Sequence, residues 1–423
     1  MSEAPLAIEA RLTALTALLD ARRPLWEARP FAAVPPAWAP DHPDVGAFLD
    51  QLGHDALDRL EETAVLDPAE VPATLAAWSR EAHVLTRVPA ARQAPLTVAE
   101  PRLLMCVPGR KWAQIQGFAG ATCAALGPDL AGIVDWCAGK GHLGRLLGVA
   151  TGLPVTLVEL AAHLGPEALD LAARTGCDVR FVAADALTPA AWAELDSGRA
   201  LVALHACGGL TNAALEQAVA RDVPQLVVAP CCYHKAHGAH RGLTPMSRAG
   251  RASGLVLTHS ALRLATADEV VAQGRHRRAR RRENAWRLAL DLLLREAAGE
   301  DGYTPLGALP KAELGQPFEA FCHTVAARLE LTLPGRWDAA AAERAGWERA
   351  RRARAWGLVR SLYRRPLELW LVLDRAIFLA EAGRSVHVEA FCPRAVTPRN
   401  LLIRSEAPSV ALVPRHEAHH DRA

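Results

Sequence analysis

Ile133-Val134-Asp135-Trp136-Cys137-Ala138-Gly139-Lys140-Gly141-His142-Leu143-Gly144 is the stretch on which the reading of this chain turns. A short apolar strand ends in an acid at Asp135. A glycine-rich loop follows and opens onto a helix whose apolar residues are Leu143, Leu146, Leu147 and Val149. The glycines let the backbone approach a ligand closely, and the start of the helix turns its unpaired N–H groups toward the same place.

Outward from that unit, strands and helices alternate, the pattern of a parallel sheet with crossover helices. After Gly132–Trp136 come Pro154–Leu160, Val179–Ala183, Ala200–His205 and Gln225–Ala229. Each is a short aliphatic or β-branched run, as expected of strands buried on both faces. Helical stretches such as Pro166–Thr175 and Asn212–Arg221 lie between them. The regularity lapses over 235–360, which hold a strong helix at Glu283–Ala297, the basic run Arg275–Arg282 and an Ala/Arg-rich helix near 338–360. Order returns with an apolar helix, Leu367–Ala382, closed by Gly383 at a C-cap position, and two strands, Ser385–Phe391 and Leu401–Ser405. The simplest topology inserts 235–360 after the fifth strand of a domain spanning 105–406.

Residues 1–104 read as a helical N-terminal module. Residues 2–23 have helical spacing with Ser2 as a possible N-cap, Arg29 to Pro43 is rich in Pro and Trp, and Pro72–Leu85 is the clearest of the short helices that follow. Residues 407–423 read as a tail, its basic end His416–Ala423 disordered. The composition, 51% hydrophobic and 22% charged over 423 residues, is that of a globular protein with one elaborated domain or two. No apolar run approaches membrane-spanning length, and the N-terminus lacks the basic and apolar regions of a signal peptide. Nine scattered Cys read as reduced thiols, so the expected location is cytoplasmic. The net charge of +2 hides an uneven distribution, with Arg-dense stretches at 275–287 and 344–365. The sequence leaves the oligomeric state open.

Gly139-x-Gly141-x-x-Gly144 fits the dinucleotide fingerprint, but a lone match is weak, and its neighbours decide. Glu159 ends the second strand, where an acid can accept from both ribose hydroxyls of either NAD or S-adenosylmethionine (SAM). Asp185, after the third strand, stands where methyltransferases place an acid against the adenine amino group. Asp135, before the loop, can orient the ammonium of a methionine moiety. These acids favour SAM over NAD, with strand-end capping as the plainer alternative. The expected fold is α/β, a doubly wound, seven-stranded, Rossmann-like sheet of the class I methyltransferase type. The expected cofactor residues are Asp135, Ala138, Gly139, Gly141, Glu159, Asp185 and Ala186, with Gly144 serving helix packing. Cys137 stands where many SAM loops have their first glycine.

The fourth strand ends His205-Ala206-Cys207-Gly208-Gly209, and the fifth ends Pro230-Cys231-Cys232-Tyr233-His234-Lys235. Ligands of open α/β sheets bind outside the carboxyl ends of the strands, so both clusters should face the crevice of the glycine loop. Several chemistries are open. Cys207, Cys231, Cys232, His205 and His234 are zinc-ligand types, although CC-x-H lacks the usual C-x₂-C spacing, and no metal is expected. Cys231 after Pro230 can be a nucleophile on a pyrimidine ring. His205 or His234 can be a general base or a positioning group. Adjacent Cys can equally be small buried hydrophobes. The catalytic set is therefore His205, Cys231 and His234.

The motifs around Asp135–Leu143, His205–Thr211 and Ala229–Lys235, taken together, resemble SAM-dependent methyltransferases related to the eukaryotic ribosomal RNA adenine dimethylase domain-containing and methyltransferase-like proteins. The tRNA 2′-O-methyltransferases of the acceptor stem are more distant kin. The resemblance extends to Trp370, Leu373-Asp374-Arg375, Leu379 and Glu381, to Thr397-Pro398-Arg399-Asn400, and to Arg110-Lys111, with Gln114 where the family commonly has Glu. It covers about 105–265 and 360–406. It implies SAM bound around Gly139, Gly141, Glu159 and Asp185, and a substrate edge at His205–Gly209 and Pro230–His234. The expected substrate residues are Lys111, Cys207, Gly208, Tyr233, Arg399 and Asn400.

Arg275, Arg277, Arg278 and Arg280–Arg282 form one basic cluster. Arg349, Arg351, Arg352 and Arg354, with Trp347 and Trp356, form a second. Both are able to hold a phosphate backbone, with aromatics and guanidiniums for unpaired bases. The leading expectation is an RNA methyltransferase acting on base or ribose. The alternatives are a methyltransferase for a protein or small molecule, and a SAM- or RNA-binding scaffold without turnover.

Overall fold

A computed structural model describes residues 5–63, 65–96, 103, 107, 109–236, 238, 242–267, 274–299 and 301–408. The expected cap at Ser2 and the expected disorder of His416–Ala423 lie outside the described residues.

Seven strands form one sheet: β1 (Gly132–Trp136), β2 (Val155–Glu159), β3 (Val179–Ala183), β4 (Arg199–Cys207), β5 (Gln225–Cys231), β6 (Ser385–Ala390) and β7 (Leu401–Glu406). Their order is β3-β2-β1-β4-β5-β7-β6. β1 to β5 are parallel, and β7 is antiparallel to both β5 and β6. This is the class I methyltransferase arrangement that the sequence pattern requires, with the insertion between β5 and the helix Arg364–Glu381. The strand order reverses between β1 and β4, so the crevice at that switch point is bounded by the glycine loop on one side and the His205 segment on the other.

Period-two alternation decides which core each side chain joins. Ile133 and Val202 pack with the helices Gly109–Cys123 and His142–Thr151 on one face. Val134, Trp136, Leu201 and Ala203 pack on the other. That second face is covered by the helix Arg364–Glu381, buried almost all round, and the core there runs on without a break into Leu12, Leu15, Leu19 and Trp26 of the N-terminal helices. Trp370 reaches back to Thr16 with an indole N–H bond of 2.9 Å. The insertion has its own small core of Trp286, Phe318, Phe321, Cys322 and Val325.

The motif residues of the Arg364–Glu381 helix are structural. Asp374 is fully buried and accepts from the Met246 and Ser247 N–H groups and the Ser247 hydroxyl. Glu381 accepts from the Arg248 and Ala249 N–H groups. Together they pin the chain that leaves β5. Gly383 (φ 80°) ends this helix in the left-handed conformation, as its C-cap position predicts. No helix among the described residues is long and apolar enough to cross a membrane.

Candidate functional site

The glycine loop is shaped from below by Asp135 and from the side by Glu159. Asp135 is buried, and its Oδ2 accepts the Gly144 N–H at 2.9 Å, tying the strand end to the first turn of the helix. Burial pushes its carboxyl up to about 7, partly offset by that N–H and reinforced by the nearby Glu159. Glu159 accepts from Gly139 N at 2.8 Å and from Ala161 N at 3.0 Å. Each carboxylate oxygen keeps a second lone pair, so both can still accept hydroxyls from the crevice. Asp185 accepts from Leu187 N at 2.9 Å and stays half-exposed. All three acids thus cap backbone as well as standing at strand ends.

Gly139 (φ 58°) has open space where a side chain would be, so a ligand can lie directly on the loop backbone. Gly144 is closed from within, because a Cβ there would stand 2.6 Å from Leu157 and 3.0 Å from Asp135 Oδ2. Gly144 therefore serves helix packing, as expected. Cys137 adopts a left-handed φ of 61°, the conformation that favours glycine at that position. Burial pushes its thiol up to about 12. Ala138 bonds Val158 O across the sheet, while Ala186 is buried with its carbonyl bound to Trp192.

Three features of this half escaped the sequence reading. Leu160 and Leu187, just beyond Glu159 and Asp185, are 68% and 51% exposed. Apolar side chains left open beside two acids suit an adenosine, whose ring needs apolar faces and whose ribose and amino group need acceptors. Exposed leucine after a strand was the available signal. The third is His142, buried at the helix start, whose pKa falls to about 4 through burial and the neighbouring cations Arg145, Lys111 and Lys140.

Across the crevice, β4 breaks register with β5 between Leu204 and Cys207. The bulge puts His205 at φ 74° and re-aims its ring. The Gln114 amide donates to His205 Nε2 at 2.6 Å, which sets the proton on Nδ1. Burial and the charges of Arg399 and Lys111 lower the His205 pKa, which favours the neutral ring. Gly208 (φ 58°) passes so close to Lys235 and Ala236 that a Cβ would lie 2.5 Å from backbone. Its N–H donates to Cys231 O at 3.0 Å and locks the two strand ends together. The Cys207 and Cys231 sulfurs lie 3.6 Å apart, and Cys232 joins them, all three Sγ within 4.8 Å of one another.

Two expected substrate residues face elsewhere. Tyr233 is 1% exposed, its hydroxyl turned to Pro230 O and its ring stacked under the Arg375 guanidinium at 5.0 Å. It follows the left-handed Cys232, which turns the chain inward. Asn400 is buried too, accepting from Arg365 at 2.9 Å and donating to Cys392 O at 2.6 Å. It fastens the Thr397–Asn400 loop. Arg399, Lys111 and His234 remain on the open side. Arg399 donates to Thr266 O at 2.9 Å, and Lys111 is exposed at the start of its helix. His234 Nδ1 stands 3.5 Å from Thr266 Oγ1.

From His234 and Arg399 a cleft of about 950 Å³ runs along the insertion. Among the described residues, seven of its lining side chains are cationic (Arg263, Arg277, Arg280, Arg282, Lys311, Arg360 and Arg399) and Glu283 is acidic. Arg277 is ion-paired with Glu62 of the N-terminal helices at 3.1 Å. The second Arg cluster does not share this role. Arg351, Arg352 and Arg354 pair with Glu348, Asp50, and Asp58 with Glu61, while Arg349 and Arg295 share the fully buried Asp291. Trp356 is 2% exposed and donates to Asp50. That cluster is glue between the insertion and the N-terminal helices, not a phosphate surface.

Residues 110–239 match the family model of a methyltransferase domain. No curated relative matches the chain. Among matching solved structures is coclaurine N-methyltransferase bound to N-methylheliamine and SAH, at 14% identity and a TM-score of 0.25. The alignment covers 43% of this chain and 59% of that one. The chain carries a methyltransferase domain, and its methyl donor is S-adenosylmethionine.

Proposed function

We propose that this methyltransferase acts on RNA, with single-stranded or splayed-out nucleotides entering along the insertion. The observation that carries the reading is the basic cleft running from Arg399 and His234. Among its described lining residues, six cations besides the Glu62-paired Arg277 face the single carboxylate of Glu283, an excess of positive charge that suits a polyanion better than a neutral small molecule. Guanidinium and imidazole planes along the cleft can stack unpaired bases, the usual way RNA sequence is presented to a protein. The motif resemblance to ribosomal RNA adenine dimethylase domain-containing proteins and to acceptor-stem tRNA 2′-O-methyltransferases supports the same substrate class.

Glu159, Asp185, Leu160 and Leu187 would hold the adenosine, and the loop at Gly139–Gly141 would hold the methionine part. The bound cofactor supplies an electrophilic methyl group. Asp135 then acts through Gly144, fixing the loop. His205, held by Gln114, would orient the acceptor or take its proton, and Lys111 and Arg399 would hold a neighbouring phosphate. Nucleoside mass spectrometry of RNA from cells with and without the gene tests the substrate. Loss of one methylated nucleoside on deletion is the expected result. An unchanged RNA profile, alongside methyl transfer from labelled SAM to protein or small molecules in extract, would overturn it.

A further inference from the structure

The sequence spacing argues against a metal, because ligands of a structural zinc site usually come in C-x₂-C pairs along one loop. Here the three sulfurs arrive from two parallel strands. Cys207 and Cys231 are paired residues at the ends of β4 and β5, brought level by the bulge at His205. In a regular strand Cys231 and Cys232 would point to opposite faces. The left-handed φ of 49° at Cys232 turns the chain so that its sulfur comes back beside the other two. Two departures from regular backbone thus produce one convergence of thiols.

We propose that Cys207, Cys231 and Cys232 bind a zinc ion through three thiolates, with the fourth position open to the crevice. Sulfurs on a tetrahedral zinc with bonds of about 2.3 Å stand about 3.8 Å apart. The Cys207–Cys231 separation is 3.6 Å, far beyond a disulfide bond and close to that spacing. Three Zn–S bonds form as three thiol protons leave to solvent, and the site carries one net negative charge. Arg399 and Lys235 are the cations whose field reaches Cys232 and offsets that charge. The open position belongs to water or to a heteroatom of the acceptor, as in zinc sites that keep three protein ligands. The ligand set is soft, which selects zinc over magnesium or calcium.

The test is zinc binding by the full chain, stripped with chelator, kept reduced and titrated with Zn²⁺ against a chromophoric competitor. One zinc per chain is expected, with a thiolate-to-metal charge-transfer band when Co²⁺ replaces it. Cys207→Ser and Cys232→Ser should each weaken binding and dim the band, and the double variant should abolish both. Cys322→Ser, in the separate core of the insertion, should leave both unchanged. SAM titration calorimetry on each variant checks that the sheet has folded. Substoichiometric zinc in the wild type, unchanged zinc in the folded double variant, or a Cys207–Cys231 disulfide in protein kept under reductant would each overturn the site.

Discussion

Along the carboxyl edge of the sheet, the half formed by β1, β2 and β3 is held by its own carboxylates on nearby backbone, whereas the half formed by β4 and β5 is locked by one backbone bond and then lined by side chains from distant elements. In the first, Asp135, Glu159 and Asp185 cap N–H groups within twenty residues of themselves. In the second, His205 is met by Gln114, 91 residues away, and the strand ends by Arg399 and by cations of the insertion. A half made of local backbone tolerates little change in shape but presents a fixed surface. A half made of converging side chains can change its chemistry without disturbing the fold. Damage to the first should therefore appear in stability and SAM binding together, and damage to the second in substrate binding alone.

The largest effect should come from Asp135. Its folded pKa, about 7, lies above its unfolded value near 3.8, so its contribution to stability is complete below that lower value and is lost as pH rises through about 7. The loss is on the order of 4 kcal/mol. Asp135→Asn removes the titration while keeping an oxygen for Gly144, so its stability relative to wild type should climb from pH 4 to pH 8. Urea denaturation across that range measures it, and a flat difference would mean the carboxyl is not desolvated as the fold requires. Gly144→Ala comes next. The added methyl meets Leu157, Val155 and Asp135, an overpacking worth about 1–3 kcal/mol. It should cost SAM affinity as well, while RNA retention in a gel-shift assay is kept.

The same division explains what was legible in the sequence. The five parallel strands, the crossover helices and the closing antiparallel pair follow from hydrophobic periodicity, and their bounds differ by only a few residues. The glycine loop is legible because each glycine answers a local demand: φ at Gly139, packing at Gly144. The β4–β5 half is not. Nothing local to Tyr233 says that the preceding residue turns it into the core beneath Arg375. The two Arg runs look alike as text, yet the second is bound to Asp50, Asp58 and Asp291, while the first sends Arg277 and Arg281 to Glu62 and Asp58 and leaves Arg280 and Arg282 along the cleft. Those acids are brought in by tertiary packing, in two cases from about 300 residues away. The Cys207–Cys231–Cys232 convergence depends on a bulge and a left-handed residue, and periodicity sees neither.

On the β4–β5 side, Arg263, Arg280 and Lys311 changed together to Ala should weaken binding of single-stranded RNA roughly tenfold at low salt. The dependence on salt should flatten by about two in the log–log slope, near 0.7 for each phosphate no longer neutralised. SAM affinity and the melting temperature should not move, since these side chains lie on the surface of the insertion. A parallel loss of SAM binding would break the separation between the two halves.

The smallest effect, and the sharpest for chemistry, is at Gln114. Its amide N–H can only donate, so it stabilises the neutral His205 ring, adding to the burial and cationic neighbours that already lower that pKa. Gln114→Glu keeps the shape and replaces the donor with an acceptor bearing negative charge. A carboxylate within hydrogen-bonding distance favours the imidazolium and should raise the His205 pKa. The ring then stays protonated to higher pH, and the acidic limb of the methyl-transfer rate moves upward by the same amount if His205 takes the acceptor's proton. NMR titration of the ring reads the first shift and the pH–rate profile the second. A moved ring pKa with an unmoved rate profile would make His205 a positioning group, and SAM affinity, set by the opposite half, should be unchanged in either case.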